Sequence, residues 1–343
     1  MNLLVTGGCG FIGSAVCRYF ARDTGAKIVN LDALTYAAEP RSLSLIDQQS
    51  NYKFVKGDIN DTELVSKLLV EHRITGVIHL AAESHVDRSI NGPDVFLKTN
   101  IMGTYSMLQA VRHFLVDHPE LAENFRFLHV STDEVYGDLE ESDPAFTEET
   151  AYAPSSPYSA SKAASDHLVS AWGRTFGVPV LITNCSNNYG PYQFPEKLIP
   201  LMVINAISGG PLPVYGDGRN IRDWLHVEDH ARGLETVLMK GIPGQTYNIG
   251  GNSERRNIEI VEVICKTLDS FLPRSDGESY SSQISFVTDR PGHDHRYAVS
   301  CEKIEDQLGW RPDHSFEDGL QETIRWYLEN RAWWEPLMER NKT

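Results

Sequence analysis

Three groups of residues in this sequence have types and spacings suited to chemistry. Tyr158 and Lys162 stand four positions apart in Pro157-Tyr158-Ser159-Ala160-Ser161-Lys162, a separation that puts both side chains on one face of a helix. An ammonium beside a phenol favours the phenolate, bringing the tyrosine hydroxyl from its ordinary pKa of about 10 toward that of a usable base. Asp133 and Glu134 adjoin in Ser131-Thr132-Asp133-Glu134-Val135-Tyr136-Gly137. In a continuing strand, neighbouring side chains point to opposite faces. Both acids can therefore serve one ligand only if the strand ends and the chain turns, and Gly137 suits such a turn. Like-charge repulsion and partial burial would then keep one acid protonated and its neighbour ionised; the residues alone do not say which.

The third group is Gly7-Gly8-Cys9-Gly10-Phe11-Ile12-Gly13, between a β-branched run and the helical pattern Ser14-Ala15-Val16-Cys17-Arg18-Tyr19-Phe20. A glycine-rich turn between strand and helix lets a dinucleotide pyrophosphate approach the backbone and meet the unpaired N–H groups of the helix start. Asp32 follows Gly13 by 19 residues, at the end of the next strand pattern, where a carboxylate accepts the adenosine ribose hydroxyls. It would repel a 2′-phosphate, so the cofactor expected is NAD rather than NADP. Asp58, after the third strand pattern, suits either an adenine contact or a strand-end cap.

Elements able to position these groups alternate along the first half. Leu3 to Thr6, Lys27 to Leu31, Tyr52 to Lys56, Gly76 to Leu80, Phe125 to Ser131 and Val178 to Thr183 read as strands. Between them, 61–69, 103–116 and 157–176 read as helices. That alternation predicts a doubly wound parallel α/β sheet of Rossmann type, because parallel neighbours need crossover connections. After Tyr189, prolines and glycines break the chain into shorter pieces. The division expected is a cofactor domain over 1–188, with a return segment near 225–245, and a smaller mixed α/β substrate domain over 189–343. Helical patterns near 227–239, 258–271 and 316–327 belong to this second half, and 273–282 reads as a polar, mobile loop.

Composition excludes several classes of function. The 343 residues carry 31 Lys and Arg against 47 Asp and Glu, a net charge of −16, which opposes attachment to nucleic acid or to an anionic membrane. No apolar run reaches the ~18 residues of a membrane span. Cys9, Cys17, Cys185, Cys265 and Cys301 form no C-x-x-C pair, which suggests free thiols in a reducing cytoplasm. His79 and His226 have no ligand-like neighbours in sequence and read as packed histidines, so no metal is expected. Trp326, Trp333 and Trp334 read as packing against the second region.

With Gly7, Gly10 and Gly13, the Tyr158–Lys162 pair resembles the extended branch of the short-chain dehydrogenase/reductase superfamily over almost the whole chain. Asp133-Glu134 directly after Thr132 is similar, within that branch, to the dTDP-glucose 4,6-dehydratase family. So are the stretches His79-Leu80-Ala81-Ala82-Glu83-Ser84-His85, Asn187-Asn188-Tyr189-Gly190-Pro191, Arg222-Asp223-Trp224-Leu225-His226 and Asp289-Arg290-Pro291-Gly292-His293-Asp294. The resemblance implies a triad of Thr132, Tyr158 and Lys162, with Lys162 also bonding the nicotinamide ribose. It assigns Asp133 as acid and Glu134 as base. Phe11, Ile12, Thr35 and Ile59 would join the cofactor contacts, as would Leu80, Ala81, Ala82 and Thr99.

For the substrate, the resemblance implies that Ser84 and Asn187 line the sugar. Asn188, Lys197, Leu198, Pro213, Tyr215 and Asn257 would hold the nucleotide with Arg222, Arg290, His293 and Tyr297. The implied activity is dehydration of dTDP-glucose on bound NAD, in a homodimer formed through 103–116 and 157–176. The sequence departs from the family pattern at Ala33, at Glu39-Pro40 and at His295, where relatives carry Lys, Gly-Asn and Arg. Readings left open are a UDP-sugar 4,6-dehydratase, a UDP-sugar 4-epimerase and a catalytically silent NAD-binding scaffold.

Overall fold

In the computed structural model, which describes residues 1–340, six short apolar runs of the first half form parallel strands: β1 (Asn2–Thr6), β2 (Lys27–Asp32), β3 (Tyr52–Lys56), β4 (Gly76–His79), β5 (Arg126–Thr132) and β6 (Val180–Cys185). Burial on both faces explains why β1, β4 and β6 read as continuous apolar stretches rather than alternating ones. A further strand, β10 (Thr246–Ile249), pairs in parallel with β6 and completes a seven-stranded sheet of order β10-β6-β5-β4-β1-β2-β3. The order reverses between β1 and β4. Chain segments leaving the carboxyl ends of those strands therefore open a crevice at the switch point.

Helices cover both faces. Asp61 caps Thr62–Glu71, its side chain accepting from Leu64 N at 3.0 Å, a bond worth about 1 kcal/mol. Ser156 and Ser159 form a reciprocal capping box at the start of Pro157–Phe176, with Pro157 in the first turn. That cap sets the phase of the helix and turns Tyr158 and Lys162 together toward the sheet. Helix Val227–Lys240 returns to pack on Phe11–Tyr19, followed by β10.

The remaining strands build smaller sheets. β9 (Ile221–His226) pairs antiparallel with β11 (Glu254–Arg256) and in parallel with β7 (Asn187–Tyr189) and β13 (Arg296–Tyr297), while β8 (Leu212–Tyr215) pairs with β12 (Ile284–Val287). Their core packs around Tyr189, Phe316, Tyr327, Trp333 and Trp334, with Trp326 against it. The tryptophans thus pack as expected. In the 273–282 loop, Ser279 Oγ and Tyr280 N donate to Asp269, and Tyr280 is buried with its hydroxyl on Leu272 O. The last residues of the second region, 341–343, lie outside the described ones. Among the described residues no helix is long and apolar enough to cross a membrane.

Candidate functional site

The main cleft lies at the carboxyl ends of β1 to β6. Its cavity, ≈ 340 Å³, is within the range of small-molecule sites, about 300–1,000 Å³. One end is built by the glycine turn. Helix Phe11–Tyr19 starts without a side-chain cap, and Gly10, Phe11, Ile12 and Gly13 line the wall, so the first N–H groups face the cleft. A Cβ at Gly13 would meet Gly7 O at 2.1 Å; only glycine allows the helix to sit this close to β1. Asp32 is buried at the end of β2, accepting from Cys9 N and Leu34 N at 2.8 Å each. Burial raises its pKa against those bonds, and each carboxylate oxygen keeps a further lone pair for a ligand hydroxyl.

Thr35, Asp58, Ile59, Leu80, Ala81, Ala82 and Thr99 also line the wall, as the resemblance implies. Asp58 caps its own turn as well, accepting from Asn60 N at 2.8 Å. Glu39, at one departure from the family pattern, is buried and paired with Arg41 at 2.8 Å and Arg340 at 3.3 Å. Arg41 in turn donates to Ala332 O and Trp333 O. The substitution thus ties the loop after β2 to the C-terminal helix Arg331–Arg340.

At the other end β5 stops at Thr132 and the chain enters a 3-10 turn, Asp133–Tyr136. Gly137 closes the turn at φ +99°, and a Cβ there would lie 2.6 Å from Ala153 O. The turn brings both acids to the same wall as Thr132, Tyr158 and Lys162. Their surroundings differ. Burial pushes Asp133 well above the usual carboxylate range, and the charges of Glu134 and Asp223 add to the shift. Burial also raises Glu134, but Arg222, Arg290 and Lys197 oppose it. Both carboxyls are therefore raised, Asp133 by burial together with acidic neighbours and Glu134 by burial against three cations.

Tyr158 departs from the sequence expectation. Burial, with the charges of Glu134 and Cys185, pushes its hydroxyl well above 10, and Thr132 opposes this by a hydrogen bond. Lys162 Nζ donates to Val130 O at 2.9 Å, and burial lowers its own pKa. Behind Lys162 lies a group that sequence reasoning missed. Asp166, buried one helical turn on, accepts from Ser131 Oγ (2.8 Å) and Tyr152 OH (3.0 Å) and lies 3.1 Å from His129 Nε2. His129 is 3.5 Å from Lys162 Nζ. Asp166 lies four residues past Lys162 on the same helix, and that spacing is the one signal that could have found it.

Of the expected substrate contacts, Ser84, Asn187, Asn188 and Lys197 line the cleft. Leu198, Pro213, Tyr215, Arg222, Asn257, Arg290, His293 and Tyr297 lie outside that wall, on and around the smaller sheets. Arg222 is buried, its guanidinium donating to Asp294 O (2.9 Å), Ile221 O (2.7 Å) and His295 O (3.3 Å) and stacking on Tyr297. Arg290 pairs with Asp87 at 3.0 Å and keeps a buried Nε without a hydrogen-bond partner among the described residues. His293 pairs with Asp289 at 2.6 Å.

Glu83, Tyr36 and Glu196 also line the wall and were not singled out in the sequence. Glu196 accepts from Tyr36 OH at 2.9 Å and lies within 3.6 Å of His85 and 3.5 Å of Arg88. These partners come from distant segments, so no spacing announces them. His79 packs as expected, between Thr6 Oγ1 (2.8 Å) and Thr104 Oγ1 (3.1 Å).

Known proteins resemble this chain in sequence and in fold. A family profile described as GDP-mannose 4,6 dehydratase matches residues 4–323. A dTDP-glucose 4,6-dehydratase of Escherichia coli is 54% identical, over 99% of this chain and 97% of the relative. One of Xanthomonas campestris is 56% identical, over 98% of this chain and 95% of the relative. The crystal structure of the dTDP-glucose 4,6-dehydratase DesIV of Streptomyces venezuelae, solved with NAD, superposes with a TM-score of 0.90 at 46% identity and covers 98% of this chain and 100% of that one.

Proposed function

Since the chain belongs to the dTDP-glucose 4,6-dehydratase family of extended short-chain dehydrogenase/reductases, we infer from the Asp133–Glu134 turn how it carries out that reaction. The protein is an NAD-dependent hydro-lyase converting dTDP-glucose to the 4-keto-6-deoxy sugar nucleotide and water. The uncapped helix start, the Gly13 approach and Asp32 fit the cofactor: Gly7, Gly10 and the residues beside them would cradle its pyrophosphate and Asp32 its ribose. When bound, NAD supplies the hydride acceptor for C4 and the hydride donor for C6.

The chain's own groups move the protons. Tyr158, with Thr132 on its hydroxyl, removes the proton of the C4 hydroxyl. The C4 ketone acidifies C5–H, and Glu134 takes that proton and returns it to C5 when the C5–C6 double bond is reduced. Asp133, kept protonated by burial and its acidic neighbours, gives its proton to the departing C6 oxygen, which leaves as water. Arg222 and Arg290 would neutralise the diphosphate, as guanidinium forks do. One observation carries the reading: two adjacent acids, one with acidic and one with basic neighbours, share a wall with Tyr158 and Lys162. An epimerase needs no such pair, and a scaffold needs none of the four groups.

Incubation with dTDP-glucose and, separately, UDP-glucose tests this. The expected result is a 4-keto-6-deoxy product from dTDP-glucose with no net reduced cofactor; a 4-epimer with its 6-hydroxyl intact would reject the assignment.

Residues 1–188 with the return segment are proposed as the cofactor half and 189–343 as the nucleotide half. Association as a homodimer is proposed through helices Thr104–Asp117 and Pro157–Phe176. These two helices pack on each other and leave Tyr105, Val116 and Phe176 exposed, with Met102 just ahead of the first. Sedimentation should show twice the chain mass, and a single-chain value at micromolar concentration would count against it. Five buried, unpaired cysteines support a reducing cytoplasm as the compartment.

A further inference from the structure

His226 ends β9 and is not among the residues that line the cleft, and its sequence neighbours gave it no ligand partners. The fold supplies them from far downstream. His314, in the loop before helix Phe316–Glu329, and Glu322, on that helix, each bring a ligand atom within 4.8 Å of a ring nitrogen of His226 and of each other. His226 is 4% exposed, yet both ring nitrogens are buried without a hydrogen-bond partner among the described residues. Leaving such groups unpaired costs free energy unless something else binds them.

His314 is already set as a ligand. Its Nδ1 lies 3.0 Å from Asp229 Oδ2, which also accepts from the His314 backbone N–H at 2.9 Å. A carboxylate acceptor on Nδ1 fixes the tautomer and leaves the Nε2 lone pair free, the arrangement seen around metal-ligating histidines. Asp229 is itself buried and held by Arg232 at 3.0 Å. On the solvent side a concavity lined by Ser315, Asp318, Gln321 and Glu322 gives an entry path with room for water.

We propose that His226, His314 and Glu322 bind one divalent transition-metal ion of the zinc class, with water as a fourth ligand. Two imidazoles and one carboxylate suit zinc or cobalt, whereas magnesium and calcium prefer all-oxygen shells. The two rings stack with centroids 4.0 Å apart. Ion capture exchanges that ring contact for metal–nitrogen bonds of about 2.0–2.1 Å. The ion would cross-link β9, the strand carrying Arg222, to the C-terminal helices, a structural rather than catalytic role.

The test uses full-length protein without a histidine tag, stripped with a chelator and titrated with Co²⁺ while its visible absorption is recorded. One saturating equivalent at micromolar Co²⁺ is expected, displaced by Zn²⁺ and unaffected by millimolar Mg²⁺, with the thermal midpoint raised by Zn²⁺. His314→Gln, at a half-buried position, and Glu322→Gln, at an exposed one, should each weaken binding by roughly 100-fold. Absence of a saturable signal in the unmodified protein would overturn the proposal whether or not the variants fold. Binding of equal affinity in both folded variants would overturn it too.

Discussion

Glu134→Gln should stop the reaction halfway, with the enzyme holding reduced cofactor and an oxidised, undehydrated sugar. The substitution keeps size and shape and removes only the base, so elimination should slow by about 10²–10⁴-fold. Oxidation at C4 depends on Tyr158 and Lys162, which are placed by the capping box of a different helix. Near-ultraviolet absorbance of reduced nicotinamide should therefore rise toward one equivalent per site and persist. Asp133→Asn should differ: C5–H should still exchange with deuterated solvent while water loss fails. The electrostatics also give the sign of the pH profile. Turnover should fall at low pH as Glu134 takes up a proton, and at high pH as Asp133, raised by burial and its acidic neighbours, loses one. Equal loss of reduction and elimination in Glu134→Gln, seen in a single turnover, would remove it as the C5 base.

What could be read before folding was local in sequence. The glycine turn, the following helix and Asp32 declare the cofactor end because strand, turn and acid lie within one β-α-β stretch. The Tyr158–Lys162 spacing declares a helix face, and Asp133-Glu134 before Gly137 declares a turn. Groups joined across the fold stayed hidden. β10 is a four-residue strand whose place beside β6 depends on a crossover through Val227–Lys240. Asp166 carries no mark of its bonds to Ser131 and Tyr152 until β5 and the helix are packed. Glu196, His226 and His314 are likewise ordinary residues until partners from remote segments reach them. The protonation of Tyr158 is hidden for a related reason: spacing reports that Lys162 shares its face but not how deeply the phenol is buried beside Glu134.

That burial sharpens the second large effect. With the Tyr158 hydroxyl pushed well above 10 in the ligand-free chain, the phenol at rest is protonated and has to be made a base as the substrate binds. Thr132 is the neighbour that opposes the upward shift, and Lys162 supplies positive charge from the adjacent turn while Asp166 supports that charge against burial. Tyr158→Phe deletes the only atom in this group that can take the C4 proton, so no reduced cofactor should form on mixing with dTDP-glucose and turnover should fall by at least about 10²–10⁴-fold. Binding of the nucleotide should be retained, because the ring still packs beside Phe96. Lys162→Met provides the contrast. It keeps the phenol but removes the charge, so residual activity should survive, with the C4 oxidation step, read in a single turnover as cofactor reduction, needing a higher pH, since Tyr158 then ionises less readily. If Tyr158→Phe turned over normally, proton removal at C4 would have to be assigned to a carboxylate of the Asp133–Glu134 turn. Cofactor reduction would then fail in Glu134→Gln or in Asp133→Asn alone.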